Sequence, residues 1–228
     1  MSAHHDAVPP VLRKLLQRIV DLGITRDFYL AGGTGLALLL GHRRSVDLDF
    51  FSRTNRLDFE GRRALLASLA QLPRWRLIES KDGTVHGQVG RVRVSFFWYP
   101  QPLVKPLRRN EGAPLACLED IGLMKLGAII GRGSRKDFLD LYAICQRLPL
   151  SRLLALGSKK FRDARDFRLQ ALKALWFFED ADRDPPAIML SSVGWDEVKR
   201  FFTREVRLLA RPYVPRPDRS HSSSRSGA

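Results

Sequence analysis

The segment Tyr29 to Phe51, YLAGGTGLALLLGHRRSVDLDFF, constrains the fold of this chain more than any other stretch. An apolar strand pattern, Phe28 to Ala31, runs into Gly32-Gly33-Thr34 and then into an apolar helix pattern, Leu36 to Leu40. Strand, glycine turn and helix start leave backbone N–H groups facing outward, which suits an anion, and Thr34 adds a hydroxyl at the expected N-cap position. The run Val46 to Phe51 then reads as a second strand. Side chains alternate between faces there, so Asp47 and Asp49 share one side while Val46, Leu48 and Phe50 share the other. Two hard oxygen donors converge, and Mg²⁺ is usually held by one or two carboxylates together with substrate phosphates.

Each half of this pattern has an ordinary structural explanation. Glycines at a strand-to-helix turn often serve backbone geometry alone, and D-x-D occurs on many exposed strands. Joined across residues 35 to 46, with Arg43, Arg44 and Ser45 beside the acids, they point to a site for nucleotidyl transfer. Gly32, Gly33, Thr34, Arg44 and Ser45 are expected to contact the nucleotide, and Asp47 and Asp49 to hold one or two Mg²⁺ ions.

The same residues carry a family resemblance. G-G-T, a helix, and then G-H-R-R-S-V-D-L-D-F-F resembles the first motif of the nucleotidyltransferase superfamily, a Gly-Ser or Gly-Thr followed by D-x-D. It looks most like the AbiEii/AbiGii toxin branch of abortive-infection and type IV toxin–antitoxin systems. Asp120 to Ile144, DIGLMKLGAIIGRGSRKDFLDLYAI, is similar to that branch's second landmark, a lysine-bearing helix followed by an R-K-D-x-x-D-L-Y helix. The resemblance covers about the first two thirds of the chain. It implies a nucleotidyltransferase fold, an NTP substrate, a catalytic or nucleotide-binding role for Lys125, tRNA as acceptor and a separately encoded antitoxin as partner.

In IGLMKLGAII, Lys125 lies four residues from both Ile121 and Ile129, in the middle of the stripe that should face a core. A buried ammonium needs an anion, and a triphosphate or the Asp47/Asp49 pair would serve; the alternative is a lysine whose stem covers apolar surface while its head reaches water. Asp137 and Asp140 sit three apart on an expected helix, 136–147, and so can face one site. Ser134-Arg135-Lys136-Asp137 also reads as a capping box, which gives Asp137 a competing role. The resemblance favours Asp137 as a site acid, with Asp140 as a secondary candidate. The strand pattern Arg91 to Tyr99 carries no acid, with Ser95 at its middle, where many nucleotidyltransferases place a third carboxylate. The helix acid completes the site, two aspartates suffice, or the chain binds nucleotide without turning it over.

The expected architecture is α+β: a mixed nucleotidyltransferase-type sheet with flanking helices over residues 1–115, a helical region over 116–211 that completes the site, and a disordered basic tail over 212–228. Helices are expected at 11–22, 59–71, 118–131, 136–147, about 163–180 and 195–211, with further strands near 75–79, 84–89 and 91–98. With 39 Lys and Arg against 24 Asp and Glu, the formal net charge is +15, which attracts polyphosphates. Arg162, Arg165, Arg168, Arg200, Arg204, Arg207 and Arg211 recur at helical spacings and would form a basic face for RNA, or simply solvated helix faces. A protein hydroxyl or small molecule remains as an alternative acceptor, and an RNA-binding or antitoxin-binding protein with a decayed site as a different class. No apolar run approaches the roughly 20 residues needed to cross a membrane, and without a signal-peptide pattern the expected location is the cytoplasm. Cys117 and Cys145 read as buried thiols, and His42 as a surface-loop histidine next to the acids.

Overall fold

Alternation in the strands decides which helices cover which face of the sheet. The computed structural model describes residues 6–213. The chain runs α1 (Pro10–Asp21), β1 (Tyr29–Leu30), α2 (Gly32–Leu40), β2 (Leu48–Ser52), α3 (Phe59–Leu69), β3 (Trp75–Lys81), β4 (Thr84–Val89), β5 (Val92–Trp98), β6 (Arg108–Asn110) and β7 (Ala113–Leu115). It continues with α4 (Leu118–Gly131), α5 (Arg135–Cys145), α6 (Leu150–Lys160), α7 (Phe167–Ala174), α8 (Glu179–Arg183) and α9 (Trp195–Ala210). The fold is α+β, and the described strands form a seven-stranded sheet in the order β3-β4-β5-β2-β1-β7-β6. β2 runs parallel to β5 and β1 parallel to β7; the other neighbours are antiparallel.

Leu30, Leu48, Phe50, Val85, Val94 and Phe96 turn to one face, where they pack with α1 and α3. Phe50 stacks on Phe96 at 5.1 Å and Phe28 meets Phe96 edge-on at 5.2 Å. Tyr29 and Ala31 turn to the opposite face, onto a core built from α4 to α7 and α9. Burying each large apolar side chain contributes about 1.5–3 kcal/mol, so these two cores fix the sheet between helical layers. The β3-β4 hairpin depends on Gly87, because a Cβ there would fall 2.1 Å from the Trp75 ring. Gly87→Ala is expected to destabilise the protein by about 1–3 kcal/mol in urea unfolding, since the indole fills that space.

Several boundaries differ from the expectation. α2 begins at Gly32 itself, so Thr34 lies inside the first turn and not at the N-cap, which is Ala31. The β6-β7 hairpin and α6 were not anticipated, although Leu150, Leu153, Leu154 and Gly157 after Pro149 give α6 a helical stripe. The helix expected over 163–180 is broken into α7 and α8, because Phe178 is drawn into an aromatic cluster with Phe138 (5.2 Å) and Trp195 (6.1 Å). Of the expected basic tail, residues 214–228 lie outside the described residues, as do His4, His5 and His221. Among the described residues no helix is long and apolar enough to cross a membrane.

A buried ion pair ties the helical layer to the loop beyond β5. Lys160 Nζ lies 2.8 Å from Asp120 and donates to the Pro102 carbonyl at 3.0 Å, while Asp120 accepts from the Val104 and Lys105 amides. Both charges are fully buried, so each needs the other.

Candidate active site

The two motif acids meet different surroundings. Asp47, just before β2, accepts from Arg93 Nε and Nη2 on β5, both at 3.2 Å. Asp49, inside β2, accepts the Ala31 amide at its main-chain carbonyl, but its carboxylate accepts no hydrogen bond from any described residue. Burial pushes its carboxyl pKa up; Lys125 draws it back, and Asp47 adds to the rise. An ionised carboxylate held in this way lacks a cation, which fits a divalent metal better than a structural role. Among the described residues no group of three or more His, Cys, Asp or Glu could hold a metal, so a cation here would take Asp47 and Asp49 and complete its shell from substrate oxygens.

The glycines make room for side chains as much as for a ligand. Gly32 has φ +61°, and a Cβ there would sit 2.6 Å from Asp49 Oδ2; at Gly33 it would sit 2.3 Å from Arg43 Nη2. Thr34 is buried, and its hydroxyl donates to the Asp47 carbonyl and shares a 2.8 Å hydrogen bond with Ser45 Oγ. Thr34 and Ser45 therefore bolt α2 to the strand that presents the acids, which corrects the expectation that Thr34 faces the nucleotide. Arg44 is exposed on the cleft rim, where its amide donates to the Ile188 carbonyl at 2.9 Å.

Lys125 is buried, as its place on the apolar stripe of α4 predicts, and the carboxylates in contact with it come from α5 and not from the Asp47/Asp49 pair. Its Nζ lies 2.9 Å from Asp137 Oδ1 and 2.6 Å from Asp140 Oδ2 on α5. Asp137 also accepts from the Ser134 hydroxyl at 2.6 Å, while its own amide donates to Ser134 Oγ, so the helix cap and the ion pair coexist. Asp140 is the hub. It is fully buried and accepts from Arg43 Nε (2.6 Å) and Nη2 (2.9 Å), with His42 Nε2 at 2.7 Å. Burial alone would raise its pKa, but Lys125, Arg43 and His42 outweigh it and hold the carboxyl well below the ordinary carboxylate range. Burial opposes the charge on Lys125 as well, yet Asp140 and then Asp137 hold it above the ordinary lysine value. His42 is thus a buried partner of Asp140, not a surface-loop histidine. Cys117 and Cys145 are free thiols pushed up to about 12, chiefly by burial.

These residues border a cleft of about 1370 Å³ between the sheet and the helical layer. Gly32, Gly33, Arg44, Ser45, Asp47, Asp49, Lys125 and Asp137 line it; Thr34 and Asp140 stand behind it. The sheet also contributes Arg93, Ser95, His86 and Glu79, which the sequence analysis did not select. Their adjacency depends on strand register, and the only available signal was the alternation within β4 and β5.

Comparison with known proteins completes the description. Residues 14–218 match the family model described as the nucleotidyl transferase AbiEii toxin of type IV toxin–antitoxin systems. The chain is 38% identical over 200 residues to an uncharacterized protein of Aquifex aeolicus (strain VF5), covering 86% of this chain and 94% of that one. In structure it resembles MenT4, a nucleotidyltransferase toxin of Mycobacterium tuberculosis H37Rv, with TM-score 0.54 and 15% identity over 86% of this chain and 83% of that one. It also resembles the antibiotic-resistance factor ANT(2'')-Ia, with TM-score 0.52 and 19% identity over 72% and 95% of the two chains.

Proposed function

This chain belongs to the AbiEii nucleotidyltransferase toxin family, and from that premise we propose that it transfers a nucleoside monophosphate from an NTP to RNA, with tRNA as the acceptor and Mg²⁺ as the cofactor. The observation that carries the reading is Asp49, half-buried beside Asp47 on the floor of a large cleft, its carboxylate without a hydrogen-bond partner among the described residues. Mg²⁺ held by these two carboxylates would neutralise charge on the phosphates. The remaining work belongs to the protein. Lys125 favours ionised Asp49, the bolt of Thr34 and Ser45 fixes the segment carrying Asp47, and the first-turn amides of α2, which begins at Gly32 beside the cleft, would be available to a phosphate. Such a site accelerates transfer through positioning and electrostatic stabilisation.

RNA as acceptor is supported by charge and by its placement. Of the seven arginines noted in the sequence, Arg200, Arg204, Arg207 and Arg211 line one shallow cavity of about 690 Å³ along α9, together with Lys199. Arg207 lies over the exposed Trp176 ring at 5.5 Å, so cation and aromatic face are offered together. Arg162, Arg165 and Arg168 lie before or at the start of α7 and away from that cavity. A toxin of this family is also expected to have a cognate antitoxin protein as its partner.

The test is to incubate the protein with Mg²⁺, total cellular RNA and each α-labelled NTP in turn, comparing wild type with Asp47→Asn. Label in tRNA-sized RNA, lost in the variant, is expected. Label in protein would move the acceptor to a polypeptide hydroxyl, and no transfer to any macromolecule would turn attention to a small-molecule acceptor or a decayed site.

A further inference from the structure

Strand register lays a polar row across the cleft floor. Glu79 of β3 pairs with His86 of β4, His86 pairs with Ser95 of β5, and Ser95 pairs with Asp49 of β2. All four side chains line the cleft. His86 Nδ1 lies 3.0 Å from Ser95 Oγ, and its Nε2 lies 3.9 Å from Glu79 Oε2. Phe97 holds the ring edge-on at 5.4 Å.

Nucleotidyl transfer must remove a proton from the acceptor hydroxyl. β5 offers no carboxylate for this. Among the motif acids, Asp47 is bound by Arg93, and Asp137 and Asp140 are ion-paired with Lys125. Asp49 is the carboxylate most in need of a cation. Glu79 is ion-paired with Lys81, which leaves the imidazole of His86 as the base on the floor, with Ser95 between it and Asp49 along the row.

We propose that the Glu79, His86 and Ser95 row takes up the acceptor's proton, with Ser95 touching the acceptor and His86 serving as the sink behind it; this rests on the transferase reading above. As the acceptor oxygen bonds to the α-phosphorus, the bond from phosphorus to the bridging oxygen breaks and its electron pair leaves on pyrophosphate. The acceptor proton passes to Ser95 Oγ while the Ser95 proton passes to His86 Nδ1. Glu79, a positioning residue whose Oε2 lies 3.9 Å from Nε2, steadies the imidazolium by its charge until the proton is lost to water. The ionisable groups facing His86 are Glu79 on β3, itself 3.0 Å from Lys81, and Asp49 on β2. β5 adds the uncharged Ser95 and Phe97, and Arg93 of the same strand face is bound to Asp47.

Two measurements test the row. In nitrogen-resolved NMR of the whole protein, His86 is expected as the Nε2–H tautomer, with Nδ1 accepting from Ser95; the Nδ1–H tautomer would overturn the proposal without any assay of transfer. In kinetics, His86→Gln should lower kcat by roughly 10²–10³-fold with little change in KM for the NTP, as loss of general base assistance does. Transfer at the wild-type rate in His86→Gln would overturn the row alone. Failure of the wild type to transfer to any acceptor would overturn the reading of the site itself, and the tautomer would still decide whether the row is built to accept a proton.

Discussion

Asp49→Asn is expected to lower nucleotidyl transfer by roughly 10³-fold and at the same time to raise the melting temperature. The loss follows from the chemistry, because the amide removes one of two anionic oxygens available to a metal and to the developing charge. The gain follows from burial. A carboxyl whose folded pKa stands above its unfolded value of about 3.9 opposes folding once it ionises, and this cost appears as the pH rises from the unfolded through the folded pKa. At neutral pH the neutral isostere removes that cost. Trade-offs of this kind are worth about 0.5–2 kcal/mol, or a few degrees for a chain of this size. Thermal unfolding without metal, paired with the labelled-NTP assay, checks both signs. A lowered melting temperature, or transfer retained in the variant, would refute the assignment of Asp49 as an unpaired carboxylate kept for a ligand.

The opposite sign is expected at Asp140, which is fully buried. Asp140→Ala should destabilise the protein by about 3–5 kcal/mol in urea unfolding, because Lys125, Arg43 and His42 would all keep their burial and lose their shared anion. Transfer should fall with it, since Arg43 sits against Gly33 and Lys125 acts on Asp49. A cost below about 1 kcal/mol would show that the network contributes little. The pH dependence has its own sign. The folded pKa of Asp140 is depressed, so its contribution is complete above the unfolded value of about 3.9 and is lost as the pH falls from there through the folded value. Asp140→Asn should lack that part of the acid unfolding limb.

The contrast between these two acids marks what the sequence could convey. Asp47 and Asp49 were legible because a strand's two-residue period puts them on one side, and Lys125 because a charge on an apolar helical stripe must meet an anion. Which anion was not legible, since that depends on how α5 packs against α4. Thr34 and Ser45 read as ligands of a phosphate because a hydroxyl carries no mark of whether it faces a cleft or the neighbouring strand. Arg43 and Arg44 are adjacent and chemically alike, and only the turn after α2 sends one inward to Asp140 and the other to the rim. Glu79, His86 and Ser95 are separated by seven and nine residues in the sequence. The β3-β4-β5 meander brings them side by side, and no local pattern announces it. The order of helices after α4 was partly legible, and the break between α7 and α8 was hidden because it depends on the distant rings of Phe138 and Trp195.

The loop that carries His42 to Arg44 is held by main-chain bonds from far along the chain: the Arg44 amide donates to the Ile188 carbonyl at 2.9 Å, and the Leu190 amide donates to the His42 carbonyl at 3.0 Å. Arg43 and Met189 form an isolated bridge between the same segments. A chain emerging from the ribosome makes the glycine turn and both motif acids early, and α5 with Asp140 much later. Residues 188–190, the last to grip the loop, come later still. Thr34 and Ser45 can hold the segment that presents Asp47 early, but the grip on its His42–Arg44 turn closes only once residues 188–190 have been made. A product that stops before residue 188 therefore lacks the last fastening of this turn.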